Sequence, residues 1–353
     1  MVVSAAPGDA VTNSALDLRA SMRKVAASEL FAAFVDPALS DEAHPLADFP
    51  RVAGGADLLV VHVSIGEPLL SEFLAERSEP LAIIYHNLSP AEAFEPWAPS
   101  FARLLADGRR DLASFVGRAR VAVGVSAFNA AELSGLGFDP VVVAPLAVDA
   151  GALVAAEPDP AMTGHLASLD GPVVLNVGQL LPHKRIDWLL MAYHVLVTHL
   201  VPEAWLVVVG ADRLPGYGEA IRRLVRRLGL TRVHLTGPVS QAALTACFRR
   251  ATVFMTASEH EGFCVPVLEA MAFDVPVVAR DFAAVPETLD GAGLLLGPDD
   301  GLCVAAEALR AVIEEAGLRD ALVAAGRQRL GALPVGEART AMLDALLGVV
   351  AGA

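Results

Sequence analysis

Cysteine, tyrosine, tryptophan and lysine are all scarce in this 353-residue chain. The three cysteines, Cys247, Cys264 and Cys303, cannot all pair and show no metal-ligand or redox spacing. That excludes a disulfide-stapled secreted module and a structural zinc site, and the thiols read as reduced. No apolar run reaches the roughly 18 residues that span a bilayer, although mean hydropathy is +0.51. Hydrophobic residues make up 54 % and charged ones only 19 %, which excludes a disordered chain. Basic residues are outnumbered, and the net charge of −15 argues against nucleic acid and weakens docking on an anionic membrane. Two arginine clusters, Arg109/Arg110/Arg118/Arg120 and Arg222/Arg223/Arg226/Arg227, lie in helical patterns and read as solvated faces. The opening Met1-Val2-Val3-Ser4 lacks the basic residues and apolar centre of a signal peptide, so cytoplasmic residence is expected.

What is present is an alternation of short apolar runs with helix-length amphipathic stretches, the pattern of parallel α/β sheets. Strands are expected near 2–6, 30–35, 58–63, 81–85, 121–125 and 141–144, with a long helix over about 99–117. The stretch 147–171 breaks the rhythm with Gly151, Pro158, Pro160 and Gly164 and reads as a linker with a short lead-in helix. A second series follows, with strands near 173–177, 206–209, 233–235, 253–256, 277–278 and 294–296. After Pro298 the pattern is mostly helical. Two domains are therefore expected, 1–150 and 151–334, the first rejoined by a C-terminal helix over about 335–353. Ligands of doubly wound sheets bind beyond the carboxyl ends of the strands. Two such halves facing each other would enclose a central cleft, with the linker as a hinge.

The most informative stretch is Ser258-Glu259-His260-Glu261-Gly262-Phe263-Cys264-Val265-Pro266-Val267-Leu268-Glu269-Ala270-Met271-Ala272. It follows an apolar strand pattern and runs into a helix, where Pro266 suits the first turn. Gly262 allows a tight turn and a close backbone approach to a ligand. The helix start offers free N–H groups and a positive dipole end to an anionic or polyhydroxyl ligand. At about 1.5 Å rise per residue, Glu269 lies up to about 12 Å along the helix from Glu261. One ligand touching both must be long, and a nucleotide sugar has the length. Two surface glutamates eight residues apart are the plainer reading, which the intervening Gly-Phe-x-x-Pro and the preceding strand disfavour.

Residues Glu261 to Ala272 resemble the E-G-F-x-x-P-x-x-E-A-M-A hallmark of the family 4 glycosyltransferases, retaining enzymes of the GT-B fold. The resemblance implies two Rossmann-like doubly wound domains facing a central cleft. It implies that Glu261 contacts the donor sugar, that Glu269 binds the ribose hydroxyls, and that the main chain around Gly262, Phe263, Cys264 and Val265 holds the sugar. Cys264 stands where glycine or serine is common.

A second match is Asn176-Val177-Gly178-Gln179-Leu180-Leu181-Pro182-His183-Lys184-Arg185-Ile186-Asp187, similar to the family's V-G-R-x-x-x-x-K-G segment. A glycine turn followed by Lys-Arg at a helix start is where a diphosphate is neutralised. Lys184 is one of only two lysines, against 24 arginines, a hint that a compact ammonium is wanted. The resemblance places Lys184 on the donor phosphates. Gln179 replaces the family's arginine there, and Arg185 is the candidate to supply the missing charge. Thr236-Gly237-Pro238-Val239 is similar to the F-x-G-x-V segment whose backbone meets the nucleobase, which implicates Gly237 and Val239. In the first half, Gly8 follows the first strand where the family has a phosphate loop. His86, in Tyr85-His86-Asn87-Leu88, stands where many members hydrogen-bond the donor sugar; a buried structural histidine is the rival reading. Ser126 resembles a V-S-x-x segment, with no catalytic role assigned.

No Asp-x-Asp occurs, the usual carrier of a divalent cation in the other large glycosyltransferase fold, and no G-x-x-x-x-G-K-[ST] phosphate loop. Gly291-Ala292-Gly293 precedes a strand pattern and not the helix start a dinucleotide loop needs. The expected activity is metal-independent, cofactor-free hexosyl transfer with retention, from a UDP- or GDP-linked sugar to an unidentified glycan, lipid or small-metabolite hydroxyl, with Glu261, Lys184 and His86 as catalytic candidates. The alternatives are a non-catalytic GT-B protein that binds a nucleotide or partner, and another GT-B enzyme, a nucleotide-sugar epimerase or a glycosyl phosphorylase.

Overall fold

Strands covered on both faces by helices must be apolar nearly throughout, and several here are. In the computed structural model, which describes residues 1–351, every residue of 81–85 and of 253–256 is buried. The chain divides into two compact units, Met1–Ala147 rejoined by the chain from Pro334, and Val148–Leu333.

The first unit holds β1 (Val2–Ala5), β2 (Phe31–Val35), β3 (His44–Pro45), β4 (Leu59–Val63), β5 (Leu81–Tyr85), β6 (Ala119–Gly124) and β7 (Val141–Val143). All pairings are parallel, in the orders β1-β2-β3 and β4-β5-β6-β7. The N–H of His62 on β4 donates to the carbonyl of Met1 at 2.9 Å, so β4 lies beside β1. The strand order reverses between them. One apolar core gathers around Phe49, Tyr85, Leu88 and Leu112, and a smaller one under the helix Ala10–Met22.

The second unit holds β8 (Val173–Val177), β9 (Trp205–Val209), β10 (Val233–Gly237), β11 (Val253–Thr256), β12 (Val277–Arg280) and β13 (Leu294–Leu296). They form one parallel sheet in the order β10-β9-β8-β11-β12-β13. Its first strand, β8, sits next to its fourth, β11. That is the doubly wound arrangement with its switch point between β8 and β11, where such sheets leave a crevice at the carboxyl ends. The core runs from Ile186 and Tyr193 through Leu206 and Val253 to Leu309.

The expected strands are present, with edges shifted by a few residues. The two-residue β3 has no period to betray it and was not expected. The stretch read as a linker folds into two short helices, Ala150–Ala155 and Pro160–Ala167, each capped by an aspartate. The second arginine cluster is the solvated face expected, with Arg222 and Arg226 exposed and reaching Glu219 of the same helix at 3.2 and 2.8 Å, whereas Arg109 of the first is half-buried and pairs with Glu132. Glu132 lies 23 residues from Arg109, a partner that helical period does not reveal.

Candidate functional site

The loops leaving β8 and β11 meet at the switch point of the second unit. Lys184 ends a single 3₁₀ turn, Pro182–Lys184, and Arg185 then takes left-handed backbone angles, φ 49° and ψ 44°, before the helix Ile186–His199. On the β11 side the left-handed residue is Cys264, φ 63°, immediately before the helix Val265–Ala272. Glycine suits such a conformation best, which gives the family's common glycine at that position a physical reason and makes Cys264 an uncommon occupant. Pro266 lies in the first turn, as the sequence suggests.

Lys184 Nζ stands 2.6 Å from Glu261 Oε1, and the two side chains are 21 % and 11 % exposed. Burial pulls the ammonium pKa down, but the Glu261 carboxylate outweighs it and the net shift is upward. Cys264 adjoins the same pair; burial and then Glu261 push its thiol pKa well above the usual value, so it is a neutral thiol and no nucleophile. The stem of Lys184 passes over Gly178, with Cδ 3.8 Å from where a Cβ would sit. His183 is buried beside this group and held neutral by burial, then by Lys184 and His260.

The loops after β8, β9 and β10 are stitched together through glycines. Gly178 N–H donates to Val209 O at 2.8 Å and Gly210 N–H to Gly237 O at 3.1 Å. A Cβ on Gly210 would lie 1.9 Å from Gly178 O, so only glycine permits this approach. Gly237 is left-handed at φ 71°, and Val239 follows before the helix Gln241–Arg250, which is capped by Ser240.

Glu269, in the middle of the helix Val265–Ala272, is part-buried, and among the described residues its carboxylate has no hydrogen-bond or ion-pair partner. Burial alone pushes its pKa up to about 7. An unpartnered, part-buried carboxyl can accept hydrogen bonds from hydroxyl donors. The Gln179 amide likewise has no side-chain partner among the described residues.

Arg185 is engaged otherwise than expected. Its guanidinium is paired with Glu259 and lies 3.3 Å from Asp187. Glu259 also receives Arg280, at 2.8 Å, which is buried at 6 % exposure with its guanidinium 4.6 Å from the Trp188 ring centre and 4.5 Å from that of Phe282. Glu259 and Arg280 carry no sequence pattern that marks them; only folding brings them to Arg185.

In the first unit, Gly8 is left-handed at φ 74° in the loop after β1, and Asp9 caps the helix Ala10–Met22 by accepting from Thr12 N–H at 2.8 Å. His86 follows β5, with Nε2 2.8 Å from Nδ1 of His62. Ser126 is fully buried and caps the helix Ala127–Leu136 through Asn129 N–H at 3.1 Å. Asn129 in turn accepts from the Asn87 amide at 2.8 Å and donates to Tyr85 O at 3.0 Å. Burial first, and then Glu132, raises the Tyr85 phenol pKa. Among the described residues no group of three or more His, Cys, Asp or Glu side chains is placed to hold a metal ion, and no helix is long and apolar enough to cross a membrane.

Two doubly wound units of parallel strands, the second with its switch point at β8/β11, define an α/β fold of the GT-B type. Residues 162–329, within the second unit, match the family model for glycosyl transferases group 1. A GDP-mannose-dependent alpha-mannosyltransferase of Mycolicibacterium smegmatis is 36 % identical over 152 residues, 42 % of this chain and 36 % of that protein. The serotype-specific mannosyltransferase WbdA of Escherichia coli is 29 % identical over 151 residues, covering 42 % of this chain and 18 % of its own length. The chain thus spans less than half the length of the curated relatives it matches, from 17 to 47 %. Among solved structures, Anabaena HepE in complex with UDP-glucose superposes with a TM-score of 0.76 at 17 % identity, covering 98 % of this chain and 99 % of that one. WaaG, a glycosyltransferase involved in lipopolysaccharide biosynthesis, gives 0.75 at 14 %, with the same coverage of both chains.

Proposed function

We propose that this chain is a metal-independent retaining glycosyltransferase that moves a hexose from a nucleotide-diphosphate sugar to an acceptor hydroxyl. The observation that carries the proposal is the Lys184–Glu261 pair at the β8/β11 switch point. It is supported by the unpartnered Glu269 on the following helix and by the group 1 match over residues 162–329. GDP-mannose is the favoured donor, because the stretch shared with the Mycolicibacterium smegmatis enzyme, whose name gives that donor, has the length of a nucleotide-binding half. UDP-linked sugars are the next to test.

In this reading Lys184 stabilises charge developing on the departing diphosphate, aided by amides at the helix start after Cys264. Glu261 orients the sugar and stabilises positive charge at the anomeric carbon. Glu269 takes the ribose hydroxyls, and the Gly237–Val239 backbone meets the base. His86 is the candidate for a further sugar contact. The leaving phosphate takes the proton of the attacking hydroxyl from the same face, giving retention.

The engagement of Arg185 by Glu259 and Asp187, with glutamine at 179, favours one other reading, nucleotide binding without transfer. Incubation with GDP-mannose, UDP-glucose and related donors, with an acceptor panel, separates the two. Release of nucleoside diphosphate with an α-linked product supports the enzyme; tight nucleotide binding without turnover supports the binder.

A further inference from the structure

His62 and His86 form a two-ring unit that local sequence does not announce. Nδ1 of His62 lies 2.8 Å from Nε2 of His86, with the ring planes 17° apart and the centroids 5.1 Å apart. The centroid separation exceeds the N···N distance by about two ring radii, so the contact lies along the line joining the centroids. The rings meet edge to edge in a common plane, the geometry of an N–H···N hydrogen bond and not of a face stack.

Such a bond holds one proton. Two protons in the gap would repel, and two bare lone pairs would too. Whichever ring donates, Nε2 of His86 is committed, and its tautomer is coupled to that of His62. Among the described residues His86 Nδ1 has no partner. His62 itself is 3 % exposed on β4, where its backbone N–H bonds to Met1 O, so the strand that carries the ring is anchored.

We propose that His62 is a positioning residue. By occupying Nε2 it fixes the ring plane and tautomer of His86 and leaves Nδ1 as the nitrogen offered to substrate. This rests on the reading of His86 as a sugar contact in a glycosyltransferase. Burial supports it by pushing the pKa of His86 down to about 4 and that of His62 well below the usual value, by burial first and then by His86. Both rings are then neutral near pH 7, as a shared single proton requires.

The test uses the full chain with ¹⁵N-labelled histidine. Ring nitrogen shifts should show one fixed tautomer for His86 in the parent and a mixture in H62L. Turnover in H62L should fall about 10–100-fold, the usual cost of losing the group that orients a site side chain, with nucleoside diphosphate affinity unchanged. H62N, whose side-chain amide occupies the place of Nδ1 and can bond Nε2 of His86, should regain most of the turnover. A folded H62L with parental turnover, an unaltered His86 tautomer in H62L, or an H62N no better than H62L would each overturn the proposal. If the parent transfers no sugar from any nucleotide sugar, the proposed function fails on its own, and the nitrogen shifts alone decide the role of His62.

Discussion

Lys184 and Glu261 are 77 positions apart in the chain, yet Nζ of one lies 2.6 Å from Oε1 of the other. The contact clamps the loop after β8 to the loop after β11 and holds a cation and an anion fixed relative to each other. Preorganised charge of this kind costs little rearrangement when charge develops on a substrate.

Replacing Lys184 by alanine removes the only lysine in the second unit and leaves the Glu261 carboxylate without its ion partner. Sugar transfer should fall about 10²–10³-fold, the size seen when one preorganised stabilising donor is lost. Steady-state release of nucleoside diphosphate measures it, and K184A with parental turnover would remove Lys184 from the mechanism.

Glu269 makes a prediction with a definite sign in pH. Its native pKa, about 7, is above the ordinary 4.5, so between those values the folded chain holds a proton that the unfolded chain has lost. Its contribution to stability is therefore present at low pH and lost as pH rises from 4.5 to 7. Melting curves of the parent should carry this downward slope relative to E269Q, which lacks the titration. E269A should also bind nucleoside diphosphate at least about tenfold more weakly by calorimetry, a tenfold change being about 1.4 kcal/mol.

Glu259 holds two cations at once, Arg185 and the buried Arg280. Truncating it to alanine leaves Arg280 charged and buried without a counter-ion. E259A should lose about 2 kcal/mol in urea unfolding, more than R185A, because an orphaned buried charge costs more than a lost partner near the surface. Equal losses would contradict the placement of Arg280.

Gly210 is the tightest backbone approach beside the site. G210A places a methyl group against the Gly178 carbonyl and must push the β8 loop away. About 1–3 kcal/mol of stability should be lost, the usual range for overpacking, together with nucleotide affinity. Denaturant midpoints and calorimetry on the same preparation report both. Retained affinity would separate the Gly178 loop from ligand binding.

Much of the architecture was legible because parallel strands buried on both faces have to be nearly continuous apolar runs, and those at 81–85, 173–177 and 253–256 are short, interrupted only by Asn176 and Thr256, and separated by helical stretches. The acidic motif was legible for a similar reason. A turn, a first-turn proline and a following helix act over a few residues, and Cys264, Pro266 and Glu269 take the local places their order implies. The partners were not legible. Nothing near Arg185 in the chain announces that it turns to Glu259, nor does anything near His62 point to His86, since each contact joins loops or strands brought together only by the sheet order.

The sequence by itself determined the strand and helix succession, the glycine-permissive turns and the presence of one lysine at a helix start, because all of these follow from backbone preferences and burial of neighbouring residues. Only the tertiary structure decided which charge meets which. It set Lys184 on Glu261, turned Arg185 and Arg280 to Glu259, and left Glu269 without a partner among the described residues. Such pairing depends on the distance across a folded sheet and on how much water is excluded there, and neither quantity is written in the spacing of residues along a chain.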